Sequence, residues 1–190
     1  MYKIALTGGI GTGKTYLSTH FKEMGIPVFY ADDEAKKLYS DPQFLQTIRE
    51  TFGDGVFNPD HPDRLSFERL AETVFADEKA LQQLNELVHP AVMQMFEAWC
   101  ARQDAPAVMM ESAVVFEGNL TEYFDKIIVA DAPEELRIRR IMARNPEMTR
   151  EQILARMARQ MPQDEKCRRA DLVVCTGETY AEACNITPRK

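Results

Sequence analysis

Leu6-Thr7-Gly8-Gly9-Ile10-Gly11-Thr12-Gly13-Lys14-Thr15 joins an apolar run to an amphipathic one, and its last part fits GxxxxGK[ST] in full. Residues 3–7 read as a short buried strand. Residues 14–24 read as a helix, with Leu17, Phe21 and Met24 on one face and Gly25 where a C-terminal cap belongs. Residues 26–30 are a second strand candidate. Strand, glycine turn, helix and strand in this order begin a βαβ unit, so the pattern predicts a parallel sheet. The glycines let the backbone curl with its N–H groups facing inward around a phosphate, and the helix that follows points its positive end at the same anion. Gly8, Gly9, Gly11, Thr12 and Gly13, with Lys14, Thr15 and the adjoining Tyr16, are therefore candidates to bind ATP. Lys14 can reach the β- and γ-phosphates, and the Thr15 hydroxyl can ligate Mg²⁺.

Outward from this motif the chain changes character. Residues 33–104 hold no convincing buried strand. Phe44, Leu45, Ile48 and Phe52 have helical spacing and stop at Gly53, and residues 55–64, with Pro59 and Pro62, read as a loop. Helical patterns follow over about residues 66–75, 78–88 and 90–102, with His89-Pro90 between the last two. Strand signals return at residues 107–110 and 126–130, and again at 172–175. Between them, Pro133-Glu134-Glu135 opens a helix that breaks at Asn145-Pro146. Thr149 and Gln152 form a capping-box pattern for another helix, to about residue 160. These elements predict an α/β fold of five parallel strands in the order 2-3-1-4-5, with helices on both faces and right-handed crossovers.

Composition narrows the class. The 190 residues suffice for one core with insertions, and 45% of them are hydrophobic. A formal net charge of −7 disfavours binding nucleic acid by bulk phosphate neutralisation. Cys100, Cys167, Cys175 and Cys184 form no C-x-x-C pair, which argues for thiols in a reducing compartment rather than zinc or redox chemistry. No secretory pattern opens the chain, and no apolar run approaches the roughly 20 residues of a membrane helix. The expected location is the cytoplasm, without membrane or nucleic-acid partners.

Outside the glycine motif, Asp32 is the leading candidate. It follows the second strand at the carboxyl edge, where an acid can orient an acceptor hydroxyl and take its proton; the alternative is a cap for the next helix, a job Asp33 or Glu34 could share. Residues 137–169 carry nine arginines, Arg137 through Arg169, against a single Lys166. Most can belong to a solvated face paired with Glu134, Glu135, Glu147 and Glu151. One or two suit an arginine-bearing lid over ATP, and Arg140 and Arg144 share a helix face. Glu111 ends the third strand and either helps hold Mg²⁺ through water or caps a turn.

The ordered set of motifs resembles the dephospho-coenzyme A kinases over nearly the whole chain. It comprises residues 6–15, Gly25-Ile26-Pro27-Val28, Ala31-Asp32, Val74-Phe75, His89-Pro90, Val114-Val115-Phe116-Glu117, Arg140 with Arg144, Gln160, and Ala170-Asp171. The resemblance implies a P-loop nucleotide kinase fold and ATP-dependent phosphorylation of the ribose 3′-hydroxyl of dephospho-coenzyme A, with Mg²⁺. It implies a core of residues 1–32, 105–136 and 170–190, a helical acceptor-binding insertion over 33–104 and a lid over 137–169. Asp32 then matches the family's catalytic acid, Arg140 joins Lys14 as catalytic, Arg144 faces ATP, and His89 lies on the acceptor side with Asp32. Three departures stand out. Tyr30 replaces a second Asp, Ala113-Val114-Val115 replaces a Pro-Leu-Leu run, and Cys175 stands where an Asn is usual, which bears on adenine contacts. A final helix near Cys184 is short. Another small-molecule P-loop kinase and a nucleotide-gated binding protein are the alternative readings.

Overall fold

Apolar runs with almost no polar interruption become the strands of a sheet that is parallel throughout its first five members, as expected where both faces of a strand are covered. The computed structural model describes residues 1–177 and the strand Asn185–Pro188. Six strands pair in the order β2-β3-β1-β4-β5-β6. They are β1 (Tyr2–Thr7), β2 (Val28–Tyr30), β3 (Ala107–Glu111), β4 (Lys126–Asp131), β5 (Leu172–Cys175) and β6 (Asn185–Pro188). The first five are parallel in the predicted order 2-3-1-4-5, and β6 adds an antiparallel edge beside β5 that the sequence patterns did not signal. Cys184 and the short helix expected near it lie outside the described residues.

The register brings the strand ends together. Leu6 lies opposite Glu111, Thr7 opposite Val129, and Asp131 opposite Cys175. The turns that leave β1, β3, β4 and β5 therefore open on one carboxyl edge, where ligands bind in open α/β sheets. Helix α1 (Lys14–Glu23) lies against β1 and β3, and its Leu17 joins Leu6, Met109, Ile128, Ala130 and Val174 in a common core.

The chain divides into two compact units. One comprises Met1–Tyr30 and the chain from Arg102 onward; the other is Ala31–Ala101. The second unit is helical. It contains α2 (Ala31–Leu38), α3 (Pro42–Phe52), α4 (Phe67–Ala76) and α5 (Glu78–Cys100). Local chemistry sets their starts: the side chains of Asp41, Ser66 and Asp77 accept backbone N–H groups in the first turns of α3, α4 and α5. Ile48, Val56, Phe57, Leu70, Val74 and Ala80 form its core.

The two helices foreseen on either side of His89-Pro90 are a single helix, α5, with Pro90 inside it. Proline removes one backbone donor, so the carbonyl of Glu86 loses its intrahelical partner. Pro90 is exposed, and water can serve that carbonyl, while Val92, Met93 and Phe96 bury the face that continues beyond it. Packing thereby outweighs a local helix breaker. In the first unit, α6 (Glu134–Arg144) and α7 (Arg150–Ala158) fall where their start signals put them, and the Thr149–Gln152 capping box is formed from both sides. A further short helix, α8 (Gln163–Arg169), follows Pro162 and packs on β4.

Candidate active site

The turn from β1 into α1 is a loop whose positive φ at Gly8, Gly11 and Gly13 favours glycine. Gly8 has φ +145°, and a side-chain Cβ there would stand 2.5 Å from the Ala130 carbonyl. Gly13 has the left-handed φ of +88° and ends the loop as the N-cap of α1. As a cap it offers no side-chain acceptor, and the first turn of α1 contains no acidic residue. Where α3, α4, α5 and α7 have a side-chain oxygen capping their first turn, α1 has none, and such a helix start suits an anion. Lys14 is folded back over the same turn, its Nζ donating to the Gly8 carbonyl at 2.9 Å and the Gly9 carbonyl at 3.3 Å. The ammonium thus stands at the mouth of the loop, where it can turn to a phosphate.

Glu111, at the end of β3, binds the other side of the helix start. Thr15 Oγ1 donates to its Oε1 at 3.0 Å and Ser18 Oγ to its Oε2 at 2.6 Å. A hydroxyl at the phosphate loop and a carboxylate held beside it form a set of hard oxygen donors, the kind that suits Mg²⁺.

The outer side of the loop is held by side chains from α6 to β5. Arg137 Nε donates to the Ile10 carbonyl at 3.0 Å, and Arg140 Nη1 to the Gly11 carbonyl at 3.4 Å. Arg140 also donates to Thr176 Oγ1 at 2.8 Å and to the Gly177 carbonyl at 2.6 Å. Gln163 Oε1 accepts from Gly9 N at 2.9 Å, and Gln160 Oε1 from Ile10 N at 2.8 Å. Arg137 is buried, which pulls its guanidinium below its ordinary pKa, while Asp131 and Glu134 act in the opposite direction.

These features match a known family. The family model of dephospho-CoA kinase matches residues 2–182 of the chain. The dephospho-CoA kinase of Bacteroides fragilis is 36% identical over 174 residues, which are 90% of this chain and 83% of that protein. The dephospho-CoA kinase of Deinococcus radiodurans is 38% identical over 175 residues, or 90% and 82% of the two chains. A crystal structure from Thermus thermophilus superposes with a TM-score of 0.84 at 31% identity, covering 96% of this chain and 91% of its own.

The chain belongs to the dephospho-CoA kinase family. It is an enzyme that phosphorylates dephospho-CoA at the expense of ATP, in coenzyme A synthesis.

In this chain the glycines, Lys14, Thr15 and Arg140 foreseen from the sequence meet at one loop. Tyr16 is beside them in the chain, but its ring is exposed and lies 4.4 Å from that of His20, so only its backbone is directed by the helix start. Arg144 is exposed in the last turn of α6. In the second unit, Asp32 is exposed in the acidic first turn of α2, with Asp33 and Glu34 beside it. His89 is half-buried on α5, and burial lowers its pKa. Cys175 is the last residue of β5, and burial, reinforced by Asp131, raises its thiol pKa; the residue that follows the strand is Thr176. Arg137, Ser18, Gln163 and Thr176 were not singled out by sequence. Of these only Arg137 carried a signal, since it precedes Arg140 by one helical turn and shares its face.

Proposed function

We propose a division of labour for the reaction in which the γ-phosphoryl group of ATP passes to the ribose 3′-hydroxyl of dephospho-CoA. Residues 8–16 hold the phosphates. The observation that carries this is the start of α1: a left-handed Gly13, a first turn without a capping oxygen, and Lys14 folded over it. Phosphoryl transfer asks the protein mainly for position and for charge opposite the transferring group. Lys14 supplies that charge in place, and Arg140 and Arg144 add to it from α6, within a lid of residues 137–169. Thr15 would hold Mg²⁺ directly and Glu111 through water. The described residues contain no group of three or more His, Cys, Asp or Glu placed to hold a metal, so the ion would depend on the nucleotide's own oxygens as well. When bound, it neutralises charge on the phosphates.

Asp32 serves the acceptor. Its carboxylate accepts the hydrogen bond of the 3′-hydroxyl, aligns the oxygen and receives the proton as the new bond to phosphorus forms. His89, kept neutral by burial, is assigned to the same acceptor side. A cytoplasmic location accords with the cysteine pattern, and no helix among the described residues is long and apolar enough to cross a membrane.

The test is a pair of variants. Asp32→Asn keeps shape and removes charge, and it should lower kcat roughly 10²- to 10⁴-fold, the range for a general base, with ATP affinity nearly unchanged. Asp33→Asn breaks only an exposed pair with Lys36 at 2.7 Å and should cost little. Loss of ATP affinity in Asp32→Asn, or a crippled Asp33→Asn, would refute the acceptor assignment.

A further inference from the structure

Three consecutive carbonyls of the phosphate loop are each held by a different side chain from outside it. Arg137 Nε donates to Ile10 O at 3.0 Å, Arg140 Nη1 to Gly11 O at 3.4 Å, and Thr176 Oγ1 to Thr12 O at 2.6 Å. The third bond is the shortest, and its donor is 2% exposed. The proton of that hydroxyl has no choice of direction. Arg140 Nη1 meets the same oxygen at 2.8 Å, and a guanidinium can only donate, so the hydroxyl accepts from Arg140 and gives its proton to Thr12 O.

A trans peptide is planar, and its C=O and N–H point in opposite directions. Fixing Thr12 O on the outside of the loop therefore directs the N–H of Gly13 to the inside. Gly13 is the residue that needs such help. With φ +88° and no side chain it is the most freely rotating joint between the loop and α1. Thr176 also fills the space beside it: a Cβ on Gly13 would stand 3.1 Å from Thr176 Oγ1 and 3.3 Å from its methyl. Thr12 is closed on its other side as well, since its own hydroxyl donates to Gly9 O at 2.8 Å and its N–H to the same carbonyl at 3.3 Å.

We propose that Thr176 is a positioning residue for the nucleotide: its hydroxyl presets the Thr12–Gly13 peptide so that the Gly13 N–H faces the phosphates before ATP arrives. Arg137 does the same for the Gly11 N–H through the Ile10–Gly11 peptide. The proposal rests on the reading that residues 8–16 hold the phosphates of ATP. Its physical content is preorganisation: a donor already aimed at the anion needs no reorientation when charge arrives. Thr176 itself touches the loop and not the nucleotide phosphates, so its effect passes entirely through the Gly13 amide.

Thr176→Val removes the hydroxyl and keeps the shape, and Thr176→Ser keeps the hydroxyl. Calorimetric titration with ADP and steady-state kinetics with ATP and dephospho-CoA are measured for wild type and both variants. The Val variant should bind ADP about tenfold more weakly, the effect of one hydrogen bond of ordinary strength. Its KM for ATP should rise in parallel, while KM for dephospho-CoA stays in place, and Ser should return both nucleotide constants to within about twofold of wild type. A part played in stability alone would lower the unfolding temperature without this split. Val binding ADP as wild type does, or Ser binding no better than Val, would overturn the proposal. Backbone ¹⁵N relaxation of the nucleotide-free wild type tests it independently of whether the variants fold. Gly13 should be as rigid as the helix that follows, with an order parameter near about 0.85; a Gly13 that is mobile until ADP is added would overturn it. A wild-type protein that bound no ADP would remove the phosphate-loop reading itself, and this proposal with it.

Discussion

Lys14 is the residue whose removal has the clearest consequence. Its ammonium lies over the Gly8 and Gly9 carbonyls, partly exposed, and carries no core packing. Lys14→Ala should lower kcat by far more than tenfold, since opposing the charge of a transferring phosphoryl group in a dry site is worth several kcal/mol. The unfolding temperature without ligand should stay near that of wild type. A variant that kept more than about a tenth of wild-type kcat would contradict the role given to this residue. At this scale the site was legible wherever chemistry is local. Glycines with positive φ, a lysine and a hydroxyl at fixed spacing lie on one turn, and chain geometry forces them together. Gln163 and Thr176 were not legible, because they reach the loop from 154 and 164 residues away in sequence and nothing in their own neighbourhoods marks them; Arg137, 127 residues away, was marked only by sharing a helix face with Arg140. Arg140 was foreseen as catalytic beside Lys14; its bonds to Thr176 and Gly177 tie it to the end of β5.

The elements carry two further consequences. Lys166 on α8 is fully buried, and its ammonium meets Glu117 Oε1 at 2.7 Å and the Ala113 carbonyl at 2.8 Å. The same Glu117 oxygen accepts from Met161 N at 3.0 Å, so one carboxylate ties the turn after β3 to the start of α8. Lys166→Ala would leave that carboxylate partly buried without its cation, and a loss of about 3–5 kcal/mol is expected in urea unfolding. Replacing both partners, with Lys166→Met and Glu117→Gln, should recover much of it. A single variant as stable as wild type would show that the pair is not needed. Helix α5 gives a pH dependence. Burial depresses the pKa of His89, so below about pH 6.5 the unfolded chain binds a proton that the folded chain resists. The stability is complete above that pH and is lost as pH falls through the folded value. Measured from about pH 7.5 to about pH 5, the stability advantage of wild type over His89→Gln should shrink; a constant or growing difference would contradict the assignment. Helices with their own caps, such as α3, α4 and α7, were readable from sequence. The unity of α5 was not, because it is decided by what Val92, Met93 and Phe96 bury and not by Pro90. Helices α2 and α8 were also missed: α2 follows β2 without an intervening turn, and α8 is short and strongly charged.

At the scale of the molecule, the sheet order 2-3-1-4-5 followed from alternating strands and helices and from the handedness of their crossovers. The antiparallel β6 did not, since a short strand at an edge has no pattern of its own beyond pairing with β5. The net charge of the protein is −7, yet arginines gather at the phosphate loop, so net charge disfavours a class of partner without describing the site. The central claim is that the chain passes a phosphoryl group from ATP to dephospho-CoA and not to other alcohols or nucleotides. A coupled assay of ADP release, with dephospho-CoA, nucleoside monophosphates and shikimate offered as acceptors, tests it most directly. Dephospho-CoA alone should accelerate ADP release, with one phosphate appearing on its ribose 3′-hydroxyl for each ADP. ADP release indifferent to dephospho-CoA, as a nucleotide-gated switch would give, or accelerated by one of the other acceptors instead, would contradict the account.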